Sequence, residues 1–484
     1  MKNVAMGHSK KWIFFLFLSL SILLQSSCTS KSELRLRKLA KEVRDEDYLS
    51  AISALRKNAR LYGKMNRLLY YMDVGVLFHY AGYYDSSTVN LERAVQIYDE
   101  LFTRSVTNET AALLTNDNIR PYRSKPFEIL FIHQVLMLNH LSRNDYDAAL
   151  VESRRAQLLI DEWERGDRLD TKFTSDGFFH YMSAFTYNQV DEPDNASVSL
   201  FKSVQAYQQG VVPLPDQVAN LAYHTFTTND REDDIALLDL KPGSNRNTSA
   251  GLGREQSEIL LIGYAGRGPV LRENVWWGTW VRDGLLILHH RTVDGQQETV
   301  TMVAPPIPRY PDSGSTESGT TFHIKFALPE IQTFSAETGY FTVESSSIDG
   351  PVKSIEMNDM DRLCAQYLDD TRAKTIVRTA VRVVARTIAA QRLKKKMATG
   401  NGAANLLINF GTDLLADQME KADTRSLFLV PKSIQIARIP VEPGTHSLEV
   451  FSHTSTGTVL ASRLFDAIEI AGGEKKVIFY PSLY

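Results

Sequence analysis

Residues 71–95, YMDVGVLFHYAGYYDSSTVNLERAV, set apolar and small side chains at helical spacing on either side of a turn at Gly82. Tyr71, Val74, Gly75 and Phe78 recur on one face of a first helix, and Tyr84, Ser87, Leu91 and Ala94 do so on a second. Small residues at Gly75 and Ser87 let the two helices approach, while Tyr71, Phe78 and Leu91 fill the space between them. One such pair cannot bury its apolar face alone, so the stretch predicts further copies beside it.

Working outward, the copies are there. The spacing is that of a tetratricopeptide unit, with Ser87 at a usual Ala. HQVLMLNHLSRNDYDAALVESRRA, residues 133–156, puts Leu136, Tyr146, Ala149 and Ala156 in the corresponding places. HYMSAFTYNQVDEPDNASVSLFKSV, residues 180–204, does so with Ala184, Tyr187, Ala196 and Leu200, and EDYLSAISALRKNA supplies a half-unit with Tyr48, Ala51 and Leu55. Residues 28–228 are therefore predicted to form tetratricopeptide-like repeats, an α-solenoid. The insertion TRSVTNETAALLTNDNIRPYRSKP, residues 103–126, forms a loop on one face, a common place for binding.

Beyond residue 228 a charge run and a Gly-, Ser- and Asn-rich stretch predict a linker over 229–257. EILLIGYAG, GLLILHHRTV, HIKFALPEI and YFTVESSSI predict strands in a β-rich region, 258–355. A helical hairpin is predicted over 356–422; its first helix has no acidic residue between Thr371 and Ala398, and Arg378, Arg382 and Arg386, four apart, share a face. Residues 423–484 alternate between turns and predict a β-sandwich or sheet. The fold class expected is α+β.

The N-terminus gives an address. Lys2, Lys10 and Lys11 precede the apolar run Trp12–Leu24, too short for a permanent span, and Ser26, Ser27 and Cys28 follow. This is the order of a bacterial lipoprotein signal, with Gln25 a departure from its usual pattern, so residues 1–27 are predicted to be removed and Cys28 acylated with palmitate-type chains. Thr29 rather than Asp after the cysteine fits the outer membrane, facing the periplasm or the cell surface. The formal net charge of −3 gives no argument for nucleic acid. Only Cys364 remains besides Cys28, so no internal disulfide is expected in the processed chain.

KADTRSLFLVPKSIQIARIPVEPGTHSLEVF, residues 421–451, resembles the signature of a family of uncharacterised bacterial lipoproteins with a tetratricopeptide-like half and a β-rich C-terminal half. Ala422, Asp423, Thr424, Arg425, Ser426 and Pro431 match, and Leu427 stands at the usual Trp. PFEILFIHQVLMLNHL, DAALVESRRAQ and GYAGRGPV agree as well. The resemblance implies an envelope lipoprotein without established enzymatic activity; relatives are often linked with lipoproteins that activate peptidoglycan synthases.

Motifs for metalloprotease, serine hydrolase, phosphate-loop or paired-cysteine chemistry are missing from the sequence, so no catalytic residue, metal or cofactor is expected. Three candidate surfaces remain. Glu128, Glu152, Arg154 and Arg155 lie on paired helices and form either a charged groove for envelope protein partners or an internal salt-bridge network. Trp276, Trp277 and Trp280 lie on one strand, which places Trp276 and Trp280 on one face and Trp277 on the other; they form either a glycan platform or a core plus a subunit or domain interface. Arg378, Arg382 and Arg386 contact anionic membrane or a partner, or else belong to a helix packed on its own β-domain with a solvated charged face. The function expected is a protein-interaction scaffold in envelope or surface-polymer assembly, with a glycan-binding module or a cell-wall enzyme as alternatives.

Overall fold

The computed structural model describes residues 41–105, 120–165, 176–243, 256–281, 284–292, 294–305, 321–397 and 421–483. Cys28 and the expected return helix, residues 403–420, lie outside them. The N-terminal half is helical: α1 (Tyr48–Lys57), α2 (Arg67–Tyr80), α3 (Tyr84–Ser105), α4 (Pro126–Leu141), α5 (Tyr146–Glu164), α6 (Gly177–Gln189), α7 (Pro193–Gln209), α8 (Asp216–Thr228) and α9 (Glu232–Leu237). Pairs α2/α3, α4/α5 and α6/α7 pack side by side.

One turn recurs through this half. Glu46, Gly82, Asn144, Asp191 and Asp230 all have positive φ, and each sits two residues before the helix that follows it, at Tyr48, Tyr84, Tyr146, Pro193 and Glu232. A left-handed residue turns the chain sharply, and Gly, Asn and Asp adopt that conformation at least cost. At Gly75 a side chain has no room: a Cβ there would lie 2.3 Å from Leu91 Cδ2. Ser87 is fully buried and accepts from Asn139 Nδ2 at 2.9 Å, which gives the hydroxyl at this small position a partner.

The first helix of each of these three pairs is buried almost all round, whereas α3, α5 and α7 keep an exposed face. PFEILFIHQVLMLNHL is apolar on every side, and such a helix must be covered on every side. The cover comes from the chain's own sheet.

The strands are β1 (Glu258–Arg267), β2 (Val270–Val281), β3 (Leu285–Arg291), β4 (Gln297–Val303), β5 (Thr321–Gln332), β6 (Tyr340–Glu344), β7 (Val352–Lys353), β8 (Ile355–Asp359), β9 (Pro431–Pro440), β10 (Gly444–His453), β11 (Val459–Ile470) and β12 (Lys475–Ser482). They form three sheets, ordered β12-β1-β9-β8, β11-β10-β6-β7 and β4-β3-β2-β5. In the first, β12 runs parallel to β1 while β9 is antiparallel to both β1 and β8.

That first sheet is buried on both faces. Leu260, Ile262 and Tyr264 of β1 pack into the core of the helical half, and Ile259, Leu261 and Ala265 pack against Phe341, Leu448 and Val450 of the second sheet. A continuous apolar run such as EILLIGYA is what a doubly covered strand requires. The third sheet is covered by the helix α10 (Met360–Met397), whose Ile376, Ala380 and Val384 meet Trp276, Trp280 and Phe326.

Several expected boundaries change. Residues 356–359 belong to strand β8, not to the start of a helix, because their neighbours in β9 supply a hydrogen-bonding partner that helical periodicity cannot reveal. The stretch 423–484 is not a separate module: β9 and β12 flank β1, and β10 pairs with β6, so the two β-rich segments interleave. The expected linker contains α9 and the buried Leu238 and Leu240. Buried hydrogen bonds join the halves: Tyr207 OH donates to the Met357 carbonyl at 2.7 Å, Tyr80 OH to that of Leu429 at 2.7 Å, and Asn358 Nδ2 to Asp176 at 2.5 Å.

Candidate ligand-binding site

The start of α4 organises the junction between the two halves. Pro126 opens the helix with a fixed φ, and Glu128 turns back to accept the Lys125 backbone N–H at 2.8 Å, half of a capping box. The same oxygen accepts from Tyr122 OH, and the other accepts the N–H of Leu427 at 2.8 Å. Burial beside this carboxylate pushes the Tyr122 phenol well above its usual range.

The 421–427 segment is held from both sides. Lys125 Nζ donates to the Arg425 carbonyl at 2.7 Å. The Arg425 guanidinium pairs with Asp423 at 2.6 Å, donates to Asn66 Oδ1 at 3.0 Å and the Arg120 carbonyl at 2.9 Å, and lies over the Tyr122 ring. The Asp-Thr-Arg-Ser stretch is therefore a clamp between helices and sheets. Leu427, which follows it, is 1% exposed and packs in the core.

Beside the clamp lies a cavity of about 370 Å³ between α3, the 120–126 segment, α10, and strands β2 and β5. Among the described residues, seven side chains that line it carry positive charge and one, Asp423, carries negative; Lys125 pairs with Glu128 and Arg425 with Asp423. Its apolar walls include Phe102, Leu271, Leu328 and Tyr367. Burial pushes the Tyr367 phenol up to about 12 and does the same to the nearby Cys364 thiol, so neither is an ionised nucleophile at neutral pH.

The residues singled out by sequence are redistributed. Glu128 is fully buried in the junction and lines no open groove. Glu152 is buried too; it meets His133 Nδ1 at 3.0 Å and Arg155 at 2.7 Å, and Arg155 reaches Glu92 on α3 at 3.1 Å. Arg154 faces Glu192 at 3.8 Å. The salt-bridge alternative describes this cluster: its ion pairs link successive helix pairs.

Trp276 and Trp280 lie beneath α10, and Trp276 stacks on His290 with ring centres 3.9 Å apart. Neither can present a face to a sugar; Trp277 is half-buried on the other side of the strand. The three arginines do not share a solvated face: Arg382 is 2% exposed, Arg386 is intermediate, and Arg378 is exposed and lines the cavity. Neighbouring structure covers the 382 position, which four-residue spacing alone cannot register.

The sequence reading missed Arg120, Arg123, Lys125, Lys374 and Lys421 as a group. Its available signals were the insertion ending in RPYRSKP and the acid-free stretch of α10. Among the described residues no group of three or more His, Cys, Asp or Glu is placed to hold a metal ion, and no helix is long and apolar enough to cross a membrane.

Fold and site together define an α+β protein whose helical half is roofed by its own sheet, with a cationic cavity at the seam. No family model matches the chain, and no curated protein matches it. A similar solved structure, the apo form of RapI, has 12% identity and a TM-score of 0.32, covering 46% of this chain and 56% of that one. The chain thus spans little more than half the length of that structure, and a likeness at this score carries no functional argument.

Proposed function

We propose that this chain is a bacterial envelope lipoprotein, anchored in the outer membrane through acylated Cys28, that acts by binding rather than by catalysis. In this reading the helical half is a scaffold for envelope protein partners in wall or surface-polymer assembly. The observation that supports a specific contact surface is the burial asymmetry of the helix pairs. The first helices lie under the chain's own sheet, so a partner is left with α3, α5 and α7, where Val89, Val151, Leu158 and Val198 are exposed among charged residues. Scattered exposed valines alone are ordinary; their recurrence on the second helix of successive pairs is what favours this face.

The test has two arms. Labelled palmitate should enter the wild-type chain and not Cys28→Ser. Cross-linking in intact envelopes, from a photoreactive residue at Leu158 and at Leu464 on the opposite, sheet-covered side, should give discrete adducts from Leu158 only. No incorporation of palmitate sinks the anchor, and adducts only from Leu464 sink the contact face.

A further inference from the structure

The hairpin of β10 and β11 ends in a stretch without charge. Residues 450–462, VFSHTSTGTVLAS, hold no Asp, Glu, Lys or Arg in a chain that is 23% charged. Val459, Leu460 and Leu464 are 53%, 41% and 63% exposed, so three large apolar side chains stand in water within six residues of one strand. Single exposed apolar groups are ordinary, but a contiguous set on a charge-free element marks a contact surface.

Polar groups at the tip of this hairpin pair with one another. Thr454 N–H donates to the Thr458 carbonyl at 2.8 Å, Gly457 N–H to the Thr454 carbonyl at 3.0 Å, and Thr458 N–H to Thr454 Oγ1 at 3.0 Å, while the Thr454 and Thr456 hydroxyls meet at 2.9 Å. Such a tip leaves bulk water at small cost, because apolar surroundings penalise unpaired N–H and C=O groups. An added strand is a poorer occupant. β11 is the edge of its sheet, but its ladder with β10 is irregular at two places, and Arg463, opposite buried Val450, lies over the Tyr480 ring and pairs with Glu46 at 2.7 Å. Bulges and inward-pointing charges are what keep an edge from taking another strand.

The same ion pair puts the hairpin beside the start of the described fold. Glu46 lies five residues beyond Lys41, and Arg463 is four residues along β11 from Val459, about 13 Å. Leu49, three residues from Glu46, is 52% exposed as well. From Cys28 to Lys41 is thirteen residues, a reach of at most about 45 Å. An acylated Cys28 therefore keeps the β11 side of the fold close to lipid. We infer that the tip of the β10–β11 hairpin, Val459 and Leu460 with Leu464 beside them, lies in the headgroup layer of the phospholipid surface that holds the anchor. Apolar side chains bind there by the area they bury, and a second contact of this kind adds to the hold of acyl chains. The inference rests on the anchor at Cys28 and is independent of the partner face.

The acylated chain, purified and reconstituted into vesicles of phosphatidylethanolamine and phosphatidylglycerol, provides the test. Leu460→Cys, Leu464→Cys and, as a reference on exposed α5 surface, Leu158→Cys each receive a nitroxide label, with the melting temperature held; Cys364 is buried and stays unlabelled. Labels at 460 and 464 should collide with a water-soluble nickel chelate roughly threefold less often than the label at 158, and with oxygen more often. In intact envelopes a photoreactive residue at Leu464 should capture phospholipid. Equal nickel access at all three positions overturns the inference, and so does a discrete protein adduct from Leu464, which would give this face to a partner. If palmitate does not enter the wild-type chain, the anchor fails and the inference falls with it; palmitate entry with nickel reaching 460 and 464 freely sinks the inference alone.

Discussion

The Glu128 carboxylate accepts the backbone N–H of Leu427 at 2.8 Å, across 299 residues of chain. With the Lys125 N–H and Tyr122 OH on its other oxygen, this one side chain fastens the helical half to the segment leading into β9.

Glu128→Ala removes acceptors from these donors inside a buried site, where each orphaned group costs about 1–3 kcal/mol. The expected loss is about 3 kcal/mol or more by urea unfolding. Glu128→Gln keeps a carbonyl oxygen for Leu427 and should lose about half as much. Equal, small losses in both would mean the contact does not hold the junction.

Gly75→Ala reverses the usual expectation for a helix interior, where Ala is favoured by about 1 kcal/mol. The new Cβ would meet Leu91 Cδ2 at 2.3 Å, with the Leu91 backbone nitrogen at 3.3 Å limiting how far the pair can yield. A net destabilisation of about 1–3 kcal/mol should lower the melting temperature. A more stable variant would show that α2 and α3 are not packed this closely.

Arg378→Gln and Arg382→Gln should separate, although the residues are one helical turn apart. Arg378 is exposed, and its loss should change stability by no more than about 0.5 kcal/mol. Arg382 is 2% exposed, and truncating a buried charge that its surroundings accommodate should cost about 3 kcal/mol. Chemical denaturation of the two variants side by side decides this; matching midpoints would place Arg382 at the surface.

Stability should fall between pH 6.5 and 4. Burial depresses His79 to about 4 and His180 to about 3, so below pH 6.5 the unfolded chain takes up protons that the folded chain refuses. Asp176 acts in the opposite sense: burial raises it to about 6, so between that value and its unfolded 3.8 the folded state holds the extra proton and gains stability as pH falls. Two histidines against one aspartate leave a net loss on acidification, on the order of 2 kcal/mol by pH 5. Thermal melts at pH 7 and pH 5 check the sign; a higher midpoint at pH 5 would show that the histidines are not buried neutral.

Much of the α+β layout was legible because local signals were strong. Helical periodicity with small residues at Gly75, Ala149 and Ala196 marks the repeats, and all three are buried in the structure. The candidate surfaces read less well. Helical spacing puts Arg378, Arg382 and Arg386 on one face, but exposure depends on what packs there, and α10 lies along the third sheet. Alternation correctly separates Trp277 from Trp276 and Trp280, yet it cannot say which face is covered. The cavity was hidden because its cations are scattered along the chain from Arg120 to Arg425.

The sequence by itself determined the helix pairs, the strand character of EILLIGYA and the chemistry of each side chain, because these depend on neighbours within a few residues. The tertiary structure decided that β12 joins β1 in parallel, that a sheet covers the first helices, and that Glu128 meets Leu427. It alone gathered seven cations around one cavity. Such contacts are set by the summed burial of surfaces far apart in the chain, and no local pattern carries that sum.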